Sequence, residues 1–148
     1  MVLKLEQNII QKDTEIIVKY SIMDKKLKRI VSFIKSVDIQ IECFYEDGIK
    51  LINASDIYYI ESLDKAAVIF CEKSSYRTGF RLHQLNEKLL NSSFVQISKY
   101  CIVNIQKIEK FTPLINNRMK VTLSNGATIL ITRKYLAGTK QRLQENLL

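Results

Sequence analysis

The side chains best placed to do chemistry in this sequence are cations at the ends of apolar, β-patterned runs. Phe94-Val95-Gln96-Ile97-Ser98-Lys99-Tyr100-Cys101-Ile102-Val103-Asn104 carries Lys99 between Ser98 and Tyr100. Further on, Ile129-Leu130-Ile131-Thr132-Arg133-Lys134-Tyr135-Leu136 places Arg133 and Lys134 where a strand gives way to a helix. A rigid strand end presents such a tip to a partner. A lysine there reaches a phosphate oxygen or a guanine edge, and the planar fork of an arginine suits bidentate contact to either. The partner this chemistry fits is a polyanion, with DNA first among the candidates.

Other reactive types form no such pattern. Cys43, Cys71 and Cys101 make no CxxC pair and His83 is the single histidine, so zinc lacks a clustered ligand set. The three cysteines sit in apolar runs and read as buried free thiols in a reducing cytoplasm. There is no glycine-rich phosphate loop and no Ser-His-Asp or Cys-His arrangement. Asp56, Glu61 and Asp64 lie close together without a basic or metal partner, which suits a loop surface better than an active site. An enzyme is therefore the least supported class, and no cofactor is implied.

Charge is unevenly spread. The formal net charge is +8 over 148 residues. Residues 95–148 hold nine basic side chains against Glu109 and Glu145, whereas residues 41–94 are net acidic. The last third is thus the electrostatic footprint. The aromatics lie mostly within apolar strand runs rather than as stacking platforms, which disfavours a single-stranded RNA reader. No apolar run approaches the length of a membrane span, and the start, Met1-Val2-Leu3-Lys4-Leu5-Glu6, is not a secretory leader.

The elements that must position these tips follow from periodicity. Leu3–Gln7 and Glu15–Tyr20 read as short strands. Asp24 then caps a helix with Leu27, Ile30, Val31 and Ile34 on one stripe. Residues 1–37 are therefore expected as a β-β-α extension, for dimerisation or signal input, ahead of a domain over 38–148. From Ile39 the period becomes 2. Asp47-Gly48 and Asn125-Gly126 are hairpin signals, Asn116-Asn117 is a further turn signal, and Leu82, Leu85 and Leu89 mark a short helix. A last helix starts near Thr132, with Tyr135, Leu136, Leu143 and Leu147 available for burial. The fold class is mainly β, α+β overall.

Four segments in order resemble the LytTR family of bacterial DNA-binding domains. Ser55-Asp56-Ile57-Tyr58-Tyr59-Ile60-Glu61-Ser62 is similar to its "D-I-x-Y-I-E" strand, and Phe94–Asn104 to its "F-x-x-h-x-[KR]-[ST]-x-x-V-N" segment. Asn125-Gly126 matches its "[DN]-G" turn, and Ile131–Leu136 its "[ST]-R-[RK]-Y-[LV]" junction. The resemblance implies elongated antiparallel β-sheets with short helices. It implies a sequence-specific transcriptional regulator of double-stranded DNA whose loops enter major grooves at paired direct repeats in a promoter, as a homodimer. It also implies a stand-alone regulator without a receiver domain, of a kind often restrained by a small integral membrane protein.

On this reading Lys99 fills the family's basic slot and Arg133 its junction arginine, with Lys134 suited to phosphate. Lys65 lies in a family loop that contributes base contacts, but Ala66 and Ala67 stand where other members carry a polar contact residue, so Lys65 is expected on phosphate. Ser98 and Tyr100 flank Lys99 as further DNA-facing candidates. Asn104 is expected to satisfy turn backbone groups rather than touch DNA, and His83 to be a surface histidine. The rival class is a protein-interaction module that docks to a membrane or partner protein through the N-terminal element.

Overall fold

The computed structural model describes residues 1–146, so the predicted burial of Leu147 lies outside the described residues. Asp24 accepts a hydrogen bond from Leu27 N at 2.8 Å and starts helix α1, Lys25–Val37. The expected strands at 3–7 and 15–20 do not form. Residues 1–24 carry no strand, and every one of them is exposed. Alternation alone does not make a strand: a lone two-stranded ribbon is marginal in water without a third strand or a helix face to cover it.

Ten strands follow, all paired antiparallel. β1 (Gln40–Tyr45) and β2 (Gly48–Asn53) form a hairpin. Its turn falls on Glu46-Asp47, with Glu46 at a φ of 53°, so Gly48 opens the return strand one residue earlier than the Asp47-Gly48 signal suggests. After a 3-10 turn over Ala54–Asp56 come β3 (Tyr59–Leu63), β4 (Ala66–Phe70) and β5 (Ser75–Thr78), then helix α2 (Leu82–Lys88). β6 (Phe94–Ser98) and β7 (Cys101–Asn104) complete a five-stranded sheet in the order β5-β4-β3-β7-β6. A second 3-10 turn, Ile105–Lys107, leads to β8 (Ile108–Leu114), β9 (Arg118–Leu123) and β10 (Thr128–Ile131), which form a three-stranded sheet. Helix α3, Arg133–Asn146, ends the described chain.

Period-2 alternation sends successive side chains of the central sheet into two cores. Ile60, Ile69, Ile102 and Phe94 face one side, where Ile41, Cys43 and Ile52 of the β1–β2 hairpin and Leu82, Leu85 and Leu89 cover them. Ile97, Cys101 and Val103 face the other, against Val121, Leu123, Ile129 and Ile131, with Tyr135 and Leu136 of α3 packed alongside. Leu143 is buried as expected. Burial pushes the Cys101 thiol from 9.0 up to about 12 and the Cys43 thiol up to about 11. All three cysteines are free; Cys43 and Cys101 are buried and Cys71 half-buried. Asn104 is buried among these strands: its Nδ2 donates to Ile57 O at 2.9 Å, and its Oδ1 accepts from Ser93 Oγ at 2.7 Å and Gln106 N at 3.1 Å.

Candidate nucleic-acid interface

Two hairpin tips stand side by side at one end of the central sheet. The turn between β3 and β4 is Asp64-Lys65, with Asp64 at a φ of 54°, and the turn between β6 and β7 is Lys99-Tyr100. Because β3 pairs with β7, the tips are neighbours in space although they are distant in sequence. Ser62 N donates to Tyr100 O at 2.8 Å and ties them together. Ser98 Oγ accepts from Tyr100 N at 3.2 Å and braces the second tip from inside. The β6–β7 register shifts between Gln96 and Ser98, and Gln96 Nε2 donates to Ser98 O at 3.0 Å. Such a bulge re-aims the strand just before the tip.

Lys65 and Lys99 are exposed and line one concavity. Lys99 Nζ lies 5.5 Å from the centre of the Tyr100 ring, and that ring is itself 59% exposed. Sequence reasoning missed two further members of this wall, Arg81 and His83, which stand at the start of α2 and face the same concavity. Their side chains are exposed, and Gln84 Oε1 accepts from Arg81 N at 2.8 Å to fix the entry to that helix. The clue available in the sequence was a basic pair at a helix start; its position beside Lys65 depends on packing across the sheet.

The β10–α3 junction joins the same end. Thr132 N donates to Ile97 O at 3.0 Å, two residues before Lys99. The Thr132 hydroxyl also points to Ile97 O, at 3.5 Å, rather than back to the helix backbone. These contacts anchor the junction to β6 and fix the start of α3 beside the second tip. Arg133 is exposed there as the first residue of α3. Lys134 lines an adjoining concavity that shares Asn86 and Gln96 with the first, and its Nζ lies 5.9 Å from the Tyr135 ring centre. Lys65, Lys99, Arg133 and Lys134 therefore cluster at one end. Ser98 is half-buried and serves the turn backbone, while Tyr100 presents its ring beside Lys99.

One cation of the basic last third is otherwise engaged. Arg142 Nη2 donates to Ser92 O at 2.8 Å and to Phe94 O at 3.0 Å, pinning α3 to the entry of β6. The Asn125-Gly126 turn lies at the far end of the molecule. Gly126 has a φ of 88°, Asn125 Oδ1 accepts from Ala127 N at 3.1 Å, and Asn125 Nδ2 reaches Glu72 O at 3.3 Å in the β4–β5 loop. The family's hairpin signal is structural here and not part of the basic end. Among the described residues no group of His, Cys, Asp or Glu could hold a metal ion, and no helix is long and apolar enough to cross a membrane.

The family profile described as the LytTr DNA-binding domain matches residues 47–144. The sensory transduction protein LytT of Enterococcus faecalis is 30% identical over 98 residues, covering 66% of this chain and 40% of that protein. LytT of Bacillus cereus is 27% identical over 116 residues, covering 75% and 47%. The chain thus spans less than half the length of these relatives. A Staphylococcus aureus protein described as an uncharacterised HTH-type transcriptional regulator is 27% identical over 123 residues, covering 82% of this chain and 83% of its own length. Among solved structures, the LytTr DNA-binding domain of a methyl-accepting/DNA response regulator from Bacillus cereus shares the fold, with a TM-score of 0.66 and 20% identity over 70% of this chain and 95% of that one.

Proposed function

The chain belongs to the LytTr DNA-binding domain family, and on that premise we propose that it is a transcription regulator that grips double-stranded DNA with one end of its central sheet. The observation that carries this reading is the tie between Ser62 and Tyr100, which sets the Lys65 and Lys99 tips side by side next to Arg133. Two-residue hairpin tips and a helix start bearing cations suit entry into a groove, and their lysines supply the phosphate contacts that dominate affinity. The geometry favours loops over a helix-turn-helix: α2 and α3 are separated by five strands, so neither can serve as the other's partner in that motif.

In this reading Arg133 reads a base edge or clamps a phosphate. Lys65, Lys99 and Lys134 bind phosphates, with Ser98 and Tyr100 shaping the tip. The operator is a pair of direct repeats read through the major groove by two copies in the cytoplasm. A small membrane protein as a restraining partner rests on the family resemblance alone. The rival reading, a module that docks to a membrane or partner protein through the N-terminal element, is not favoured, because the family match over residues 47–144 points to DNA.

The test is an operator selection from random double-stranded DNA with purified protein, read by sequencing. The reading expects enrichment of a spaced pair of repeated words. Binding to them should be steeply salt dependent, because neutralising about six to ten phosphates loses roughly a thousandfold or more between 50 and 200 mM salt. Failure to enrich any sequence, with binding insensitive to salt, would remove DNA as the ligand.

A further inference from the structure

Helix α2 is held by its apolar side. Leu82, Leu85 and Leu89 enter the core that also holds Ile60, Ile69 and Ile102, and this fixes the rotation of the helix. His83, next to Leu82 in the first turn, is left exposed, and Arg81 precedes them. Both line the concavity that takes Lys65 from the β3–β4 turn and Lys99 from the β6–β7 turn. Three cations and the chain's single histidine thus share one wall. Asp64 is the one carboxylate among the residues that line it, and Glu87 lies one turn beyond His83 on α2. Among the described residues the His83 ring has no hydrogen-bond or ionic partner within the protein, so it is not spent on holding the fold.

Such a wall suits an anion rich in hydrogen-bond acceptors. Ser62, Asn86 and Gln96 add neutral polar groups, and a volume of about 310 Å³ leaves room for a phosphodiester with bridging water. We propose that this concavity seats a backbone phosphate of bound DNA, and that His83 joins the grip as an imidazolium, so that binding takes up a proton. The inference deepens the proposed DNA binding and rests on it. The DNA backbone is the occupant because the two tips bordering the concavity are the ones that grip the duplex. A strand held by Lys65 and Lys99 brings its phosphates over Arg81 and His83.

The consequence is a proton linkage. An imidazole beside a phosphate holds its proton more firmly than one in water. The contribution of His83 to binding is then fully present below the titration of the free ring, and it is lost as pH rises through that of the bound ring. The thiols do not share this window, because burial raises Cys43, Cys71 and Cys101 above the ordinary value of 9.0. The Met1 amine does share it, but it is common to every variant below.

Anisotropy of labelled operator with the full chain, at pH 6 and pH 8 and fixed ionic strength, tests it. Wild type is expected to bind about fivefold more weakly at pH 8, within the tenfold that a rise of about one unit in the ring's pKa allows. His83→Gln is expected to change by less than about 1.5-fold over the same window. Arg81→Ala should lower the salt slope by about one. Because the chain has one histidine, its ring proton resonance reports directly. Its titration midpoint should rise by about one unit with operator duplex and stay in place with inorganic phosphate at the same phosphate concentration. Affinity that is flat from pH 6 to pH 8, a His83→Gln that keeps the dependence, or an unchanged slope in Arg81→Ala would overturn the inference and leave the DNA reading intact. So would a ring that ignores duplex, or one that answers inorganic phosphate as strongly. A wild type that binds operator at neither pH would remove the DNA reading and this inference with it.

Discussion

The backbone N–H of Ser62 and the carbonyl of Tyr100, 2.8 Å apart, join two hairpin tips that the sequence separates by more than thirty residues. Through this bond Lys65 and Lys99 act as one surface. The Thr132–Ile97 bond adds Arg133 to it. A single sheet end therefore gathers cations that belong to three distant stretches of chain, and its main expectations can each be checked separately.

Arg133→Lys distinguishes charge from shape. If the guanidinium fork reads a base, Arg133→Ala costs about 1–3 kcal/mol of operator binding, and Arg133→Lys recovers little of it. Titration on operator and on scrambled DNA checks this. Full recovery by lysine would assign Arg133 to phosphate alone.

Arg142 should behave oppositely, although it is equally basic. Arg142→Ala leaves the Ser92 and Phe94 carbonyls without their charged donor and is expected to destabilise the fold by about 1.5–3 kcal/mol. Urea denaturation reads the loss. Operator affinity measured well below the unfolding midpoint should stay within about twofold of wild type, a shift of less than half a kcal/mol.

Asn104→Leu tests the buried amide. It strips partners from Ile57 O, Ser93 Oγ and Gln106 N at once, so a loss of about 2–4 kcal/mol is expected from unsatisfied buried groups. Thermal unfolding measures it, and a neutral substitution would mean the strand crossing does not depend on this side chain.

Alkali should loosen the fold through Cys101. Its folded pKa is raised, because burial opposes the thiolate, with Glu61 adding to the shift. The neutral thiol therefore contributes stability that is fully present below the unfolded value of 9.0 and is lost as pH rises from there toward about 12. Urea midpoints compared at pH 8 and pH 10.5 should fall less in Cys101→Val than in wild type. Equal falls would assign the alkaline loss to other groups.

The central β-architecture was legible because alternation is strong where one strand face is buried. Ile41 and Cys43, Ile60, and Ile129 with Ile131 all fall inward as the period demands. Leu82, Leu85 and Leu89 announced α2 for the same reason at helical spacing. The N-terminal alternation of Leu3 and Leu5 misled, because period-2 spacing reports compatibility with a sheet and not the presence of a neighbour strand. The stripe on α1 was legible, but the most deeply buried positions were not: Ser32 and Ser36 are buried while Leu27, Ile30, Val31 and Ile34 are half-buried. Lys99 and Arg133 could be singled out from chain position, yet their adjacency depends on long-range bonds that no local pattern encodes. Arg81 and His83 escaped because their place beside Lys65 comes from where α2 lies against the sheet. Arg142 counted as part of the basic footprint, and only the packed helix reveals that it is occupied indoors.

The most direct test of the basic-end account is fluorescence anisotropy of labelled operator against salt for Lys65→Ala/Lys99→Ala, with Lys73→Ala in the β4–β5 loop at the opposite end of the sheet as the control. The account predicts that the double variant binds more weakly on every sequence and that its salt slope falls by roughly 2, about one per lost phosphate contact, while Lys73→Ala matches wild type. A double variant with wild-type affinity and slope, or a Lys73→Ala that loses as much, would contradict it.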